Sequence, residues 1–240
     1  MTRRRWIADE VSGSHAALTG DHADHLVRVL RARVGQEFDI ATSDGVHRAR
    51  IVSVSESRVE FELGEQVPAA AAANVTLLLA IFKFDRMEWA IEKCTELGVS
   101  RIVPVIARRS DAHLASASAK RVERWRRVAL QASEQSRRAA PPEIGLPLKL
   151  QEALNVPGAL KADALMIVLD ESERRIHLRD FDTPIDGEIL LAIGPEGGWT
   201  EGELQLFHKA GWRSASLGAT ILRAETAAMA ATAIVISEHC

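Results

Sequence analysis

The 240-residue chain contains two cysteines, Cys94 and Cys240. They form no zinc-ligand spacing and no disulfide framework, and so few thiols fit a reducing compartment. His22 and His25 have no third ligand near them in the sequence, so a solvated or capping role is expected of them and no metal site. Long apolar runs are missing as well. None reaches membrane-spanning length, and the arginine-rich start, Arg3, Arg4 and Arg5, is not followed by the apolar stretch of a signal peptide. A cytoplasmic protein without a membrane partner is the expectation. The chain has no internal repeat. A large net charge is also absent: it is −3, with 47% apolar residues, ordinary for a folded domain with material for a core. That total hides a local imbalance. Arginines cluster at 3–5, 28–33, 121–127 and 137–138. Local basic patches, rather than net charge, are what a nucleic-acid binder needs.

Residues 1–66 have a β-rich texture. Strands are expected at 6–8, 37–42, 46–54 and 58–63, broken by turn signals at Gly35, Ser43-Asp44-Gly45 and 55–57. One helix is expected near 21–31, and a small β-barrel is the implied shape. Residues 66–74, rich in alanine and almost patternless, mark a domain boundary. Beyond them the texture changes. Apolar strands are expected at 75–82, 102–106, 164–169, 189–193 and 215–217, with helices between most of them. That alternation indicates a largely parallel sheet covered on both faces. Pro104 argues against a central position for the second of these strands.

Three helices are distinctive. In the helix expected at 83–97, Met87, Ala90, Ile91, Cys94 and Leu97 form an apolar stripe, with Arg86 and Lys93 at its border. The helix expected at 118–138 carries Val122, Trp125, Val128, Ala129 and Ala132 as its core side and is otherwise strongly basic. The helix expected at 226–238 is apolar nearly all round, so it is buried in the fold or against another subunit.

The stretch from Glu188 to Glu203 organises the second half. An apolar run, 189–193, ends abruptly in Gly194-Pro195-Glu196-Gly197-Gly198. Thr200 and Glu203 then have capping-box spacing, which starts a helix. Strand, glycine-rich loop and capped helix form a ligand site at the carboxyl end of an α/β sheet. A tight turn with glycines for geometry alone is the other reading of this loop. Two further functional readings are open at this point: an RNA-binding module without catalysis, and a doubly wound nucleotide-binding enzyme. The latter calls for G-x-G-x-x-G after the first strand, which the residues after 75–82 do not supply.

Taken together, the motifs resemble the SPOUT superfamily of methyltransferases and, within it, the 16S ribosomal RNA (uracil-N3)-methyltransferase family. The resemblance rests on Ile193-Gly194-Pro195-Glu196-Gly197-Gly198, on Leu217-Gly218 followed by Ile221-Leu222-Arg223-Ala224-Glu225-Thr226-Ala227, and on Glu92-Lys93-Cys94-Thr95-Glu96-Leu97-Gly98-Val99. It rests also on Glu134-Gln135-Ser136-Arg137 before Pro142-Glu143-Ile144, and on His25-Leu26, Val29-Leu30-Arg31 and Val34-Gly35. The chain departs from the family pattern at Ala219 and Thr220, where an arginine or proline often follows the glycine.

The resemblance implies an α/β fold class: a PUA-like β-barrel for RNA binding over residues 1–68, then a trefoil-knotted SPOUT domain over 74–240. It implies S-adenosylmethionine as cofactor, 16S ribosomal RNA of the small subunit as substrate, N3 of a uridine as acceptor, and a homodimer. The cofactor would be held by Leu169, Ile193, Gly194, Pro195, Glu196, Gly197, Gly198, Leu217, Gly218, Ile221, Leu222 and Arg223. Methyl transfer from a sulfonium is an in-line displacement needing position, dryness and loss of the acceptor's proton. The uracil anion spreads charge onto two oxygens, which a fixed cation stabilises. Arg223 is the first candidate for that role, with Glu225 orienting it or accepting a proton; pairing with Glu225, or capping a neighbouring helix, is Arg223's alternative role. Phosphate contacts are expected from Arg3, Arg4, Arg28, Arg31, Arg86, Lys93, Arg124, Arg127 and Arg137.

Overall fold

The computed structural model describes residues 5–68, 73–155, 164–184 and 187–237. Arg3 and Arg4 lie outside the described residues, as do 69–72 of the expected linker and Glu238 at the end of the last expected helix. Two compact units are present. One runs to Ala71 and takes in Ser133–Ala140; the other comprises Ala72–Ala132 and everything from Pro141.

The first unit holds β1 (Arg5–Ile7), β2 (Glu10–Ser12), β3 (His15–Thr19), α1 (Gly20–Asp24), β4 (Glu37–Thr42), β5 (Gly45–Val54) and β6 (Arg58–Val67). They form a six-stranded sheet in the order β1-β4-β5-β6-β3-β2, parallel only between β1 and β4. β4 and β5 pair up to Thr42 opposite Gly45, so Ser43-Asp44 is a two-residue hairpin loop, as its turn chemistry indicates. Leu18, Leu26, Ile40, Ile51 and Phe61 make the core. β2 and β3 have no counterpart in the sequence reading, because strands this short leave little alternation to detect. The helix expected at 21–31 is a short α1 that passes into a π-helical turn, His25–Val29, and ends with Arg31 at a left-handed φ of 51°.

The inclusion of Ser133–Ala140 was not expected either. It follows from contacts distant in sequence: His22 Nε2 lies 3.3 Å from Glu134 Oε1, and Arg5 donates to the carbonyl of Arg137. Burial raises the Glu134 pKa above the ordinary carboxylate value.

The second unit holds β7 (Val75–Ala80), α2 (Phe84–Leu97), β8 (Arg101–Ile106), α3 (Ala112–Ala117) and, as far as Ala132, α4 (Val122–Gln135). It continues through β9 (Glu143–Ile144), β10 (Leu148–Lys149), α5 (Leu150–Ala153), β11 (Leu165–Leu169), β12 (Ile189–Ile193), α6 (Glu201–Lys209), β13 (Arg213–Ala215) and α7 (Ala224–Ser237). The sheet is parallel throughout, in the order β10-β8-β7-β12-β11-β13, with β9 also pairing β8. β7 and β12 are buried at every position, which is why β12 reads as an unbroken apolar run and β7 as one interrupted only by Thr76. Alternate residues of β7 enter opposite cores: Leu77 and Leu79 join α2, α4 and α7 on one face, and Leu78 and Ala80 join α5 and α6 on the other.

Pro104 is accommodated by a gap. On the far side of β8 from β7, β9 pairs with Arg101 and Ile102, and β10 pairs with Val105 and Ile106. Val103 and Pro104 face neither, so the proline's missing N–H costs the sheet no ladder bond there. The basic helix is shorter than expected: a 3₁₀ turn, Ser118–Arg121, precedes α4, which ends at Gln135. The strand expected at 215–217 lies two residues earlier, as β13. Gly98 ends α2 with a φ of 117°, a left-handed cap that glycine takes without strain.

Candidate active site

Because the sheet is parallel, the carboxyl ends of β7, β8, β11, β12 and β13 share one edge. The loops leaving them enclose a cavity of about 620 Å³, within the range of small-molecule sites. Lys83 and Arg86 reach it from the start of α2, and Arg109 from the loop after β8. Leu169, Asp170, Glu171 and Arg174 come from the end of β11, with Ile193, Gly194, Pro195, Glu196, Gly198 and Trp199 from the end of β12. Leu217, Gly218, Ile221, Leu222 and Arg223 come from the segment between β13 and α7. The residues expected around the cofactor are therefore brought together, with one exception.

The exception is Gly197. It does not line the cavity; a Cβ built on it would meet the Arg109 side chain at 3.3 Å. Gly198 has a φ of 69°, and a Cβ there would come within 3.1 Å of Glu171 Oε1. Gly194 is close-packed against Trp199, whose Nε1 would lie 3.3 Å from an added Cβ. The glycines thus serve backbone geometry and leave bare main chain on the cavity wall.

A loop so poor in side chains is held by its neighbours. The Thr200–Glu203 capping box forms as expected: the Thr200 N–H donates to Glu203 Oε2 at 2.8 Å, and the Glu203 N–H to Thr200 Oγ1 at 3.3 Å. Glu203 is 4% exposed, and its other oxygen accepts from the Arg108 N–H at 2.7 Å. The next residue, Arg109, donates through Nη1 to the carbonyls of Gly197, at 2.6 Å, and Trp199, at 3.3 Å. The cap of α6 therefore fixes the backbone that carries the arginine gripping the glycine loop. Trp199 also packs edge-on against Phe207, their rings 4.9 Å apart. On the opposite side, Ser216 bridges to the chain after β11, its N–H donating to Ile176 O at 2.9 Å and its Oγ lying 3.0 Å from His177 Nδ1.

Arg109, Glu171, Arg174 and Trp199 were not among the expected site residues. Their signal was available: each follows a strand whose carboxyl end opens onto the site edge. Arg223 is exposed at the cavity, and among the described residues no hydrogen bond or ion pair engages its guanidinium. Its alternative role, pairing with Glu225, does not appear. Glu225 is 2% exposed, does not line the cavity, and faces Arg86 at 3.7 Å.

The basic residues separate by their counter-charges. Lys93 does not line the cavity as Arg86 does; it donates to Glu92 at 2.7 Å and Glu96 at 2.8 Å, which raise its pKa above the ordinary lysine value. Arg124 donates to Glu88 at 2.7 Å. Arg28 pairs loosely with Asp24 at 3.6 Å, an exposed contact that competes weakly with other anions. Arg31, Arg127 and Arg137 are exposed. Among the described residues no group of three or more potential ligands forms a metal site, and no helix is long and apolar enough to cross a membrane.

A family model described as RNA methyltransferase domain matches residues 69–236, and one described as RNA methyltransferase PUA domain matches residues 18–64. Ribosomal RNA small subunit methyltransferase E of Rickettsia conorii is 33% identical over 95% of this chain and 92% of its own. The protein of that name from Mycobacterium bovis is 33% identical over 92% of this chain and 85% of its own. Among solved structures, ribosomal RNA small subunit methyltransferase E from Neisseria gonorrhoeae, bound to S-adenosyl methionine, superposes with a TM-score of 0.84 at 31% identity, covering 99% of this chain and 98% of that one.

Replacing Glu203 with alanine removes both the reciprocal cap and the acceptor for Arg108 N–H. A loss of about 1–3 kcal/mol is expected, read from the urea midpoint. An unchanged midpoint would show that the α6 cap does not hold the loop after β8.

Proposed function

The chain belongs to the ribosomal RNA small subunit methyltransferase E family of RNA methyltransferases, and from that premise we propose that it transfers a methyl group from S-adenosylmethionine to N3 of a uridine in 16S ribosomal RNA. The observation that carries this reading is the cavity itself: walls of mixed apolar and charged side chains with bare loop backbone, at the edge of a parallel sheet, in a fold shared with a relative bound to that cofactor.

The residues present fit such a ligand. Leu169, Ile193, Leu217 and Leu222 offer apolar surface for a purine, while Gly194 and Gly198 leave main-chain groups open to hydrogen bonding. Asp170 and Glu171 supply carboxylates at the same wall for hydroxyl or ammonium groups. When bound, S-adenosylmethionine supplies a methyl group activated by its sulfonium. The chain's own work is to hold the acceptor in line, exclude water and stabilise charge. Arg223 is placed for the last of these. With Glu225 engaged by Arg86, Arg223 keeps its charge for the oxygens flanking the deprotonated uracil nitrogen. Phosphate contacts fall to arginines not held by carboxylates in close pairs, Arg28, Arg31, Arg127 and Arg137 among them. A cytoplasmic location follows from this substrate.

A homodimer belongs to the same reading. α7 is buried along Ala224, Ala228, Ala231 and Val235, but Thr226, Ala230 and Ala233 on another side are only half-covered. On α2, which packs beside it, Trp89 is 48% exposed. A second copy would cover these positions. Light scattering at micromolar concentration is expected to give twice the 26.2 kDa chain mass; an active monomer would remove the dimer from the account.

The functional test uses small subunits from a strain lacking this enzyme, labelled methyl donor, and nucleoside mass spectrometry. Label is expected on uridine N3; label on cytidine, on a ribose oxygen or on uracil C5 would overturn the specificity. In the same assay Arg223→Ala is expected to lose on the order of 10²–10³ in turnover with nearly unchanged cofactor affinity. Arg223→Lys should recover part of this, since a point charge lacks the planar fork. Full activity in Arg223→Ala would remove the role assigned to that residue.

A further inference from the structure

Arg86 lies in the first turn of α2 and lines the cavity. Its Nη1 is 3.3 Å from Glu196 Oε1 and 3.7 Å from Glu225 Oε1. Glu196 belongs to the glycine loop after β12, and Glu225 to the first turn of α7. One guanidinium therefore joins three segments of the cavity wall that are far apart in sequence. The Glu225 side chain is 3% exposed, and its Oε2 has no hydrogen-bond partner among the described residues. A buried carboxylate depends strongly on whatever cation it has. Among the described residues Arg86 is the cation within ion-pair reach of it.

We propose that Arg86 is a positioning residue of the cofactor cavity, tying the glycine loop to the start of α7, and not a ligand of RNA phosphate. This rests on the functional reading above. The charge argument is direct. A cation that already faces two carboxylates gains little from a phosphate and releases few counterions when RNA binds. The geometry argues the same way. One nitrogen, Nη1, faces both carboxylates, and the fixed plane of the guanidinium holds it between them, whereas a freely rotating, strongly hydrated ammonium is held there less well. Arg86 and Arg109 then grip the loop from two directions, one through a side-chain carboxylate and the other through backbone carbonyls.

Three measurements on the full chain test the assignment. These are amide hydrogen exchange of the loop in the free protein, calorimetric affinity for S-adenosylmethionine, and the salt dependence of binding to ribosomal RNA. Arg86→Met is expected to speed exchange at Gly197, Gly198 and Trp199, and to weaken the cofactor roughly ten-fold, in line with loss of one charged hydrogen bond. The RNA salt slope should not change, whereas Arg127→Ala, as the control, should lower it. Arg86→Lys should fall between wild type and Arg86→Met. Because Arg86→Met leaves Glu225 uncompensated and lowers Tm, the double variant Arg86→Met/Glu225→Gln is included. It should recover Tm without recovering cofactor affinity, since Glu196 stays untethered. Glu196→Gln alone should weaken the cofactor with little change in Tm. A wild-type protein that fails to bind the cofactor would overturn the functional reading, and loop exchange would still decide the tether. Unchanged loop exchange in Arg86→Met, or a lower salt slope with unchanged cofactor affinity, would overturn the assignment.

Discussion

The structure depends on one constraint: the loop after β12 leaves bare backbone on the cavity wall and so cannot hold itself in place. Gly194, Gly197 and Gly198 have no side chains with which to anchor it, and Gly198 occupies a left-handed φ that favours glycine. The order has to come from outside. β12 supplies a rigid launch point, buried at every position between β7 and β11. Arg109 holds two carbonyls of the loop, and Arg86 faces its one acidic side chain. Behind Arg109 stands Glu203, which caps α6 and fixes Arg108 with the same carboxylate. Helix capping, sheet-edge geometry and ligand site are thus one connected arrangement, and a change at a buried cap reaches the cavity through named hydrogen bonds.

The same arrangement explains how a chain with thirty basic residues divides their labour. Sequence clustering groups arginines by position; counter-charges regroup them by role. Lys93 is held between Glu92 and Glu96, Arg124 is held by Glu88, and Arg86 faces two carboxylates at the cavity. Arg223, on the turn before Glu225, lines the cavity, while Arg86 faces that glutamate. An acidic residue beside an arginine in sequence is therefore not its partner in space, and here Arg86 rather than Arg223 faces Glu225.

Much of the fold was legible because it rests on local patterns. Two apolar runs became the central strands β7 and β12, and the Thr200–Glu203 spacing became a real capping box. The glycine loops fell at strand ends and converged on one cavity. What was not legible depends on distant pairings. The orientation of Gly197 toward Arg109, the capture of Glu225 by Arg86, and the grouping of Ser133–Ala140 with the first unit all join residues far apart in the chain. Pro104 shows the intermediate case. Its chemistry argued against a central position, yet β8 lies between β7 on one side and β9 and β10 on the other, and only the sheet topology reveals that those two leave a gap opposite the proline.

The central claim is that the loops after β12 and β13 hold the methyl donor. Amide hydrogen exchange of the wild-type chain with and without saturating S-adenosylmethionine tests it without any substitution. Protection is expected at Gly194–Trp199 and Leu217–Leu222, with little change in residues 5–68. Protection confined to residues 5–68, or binding that leaves both loops unchanged, would contradict it.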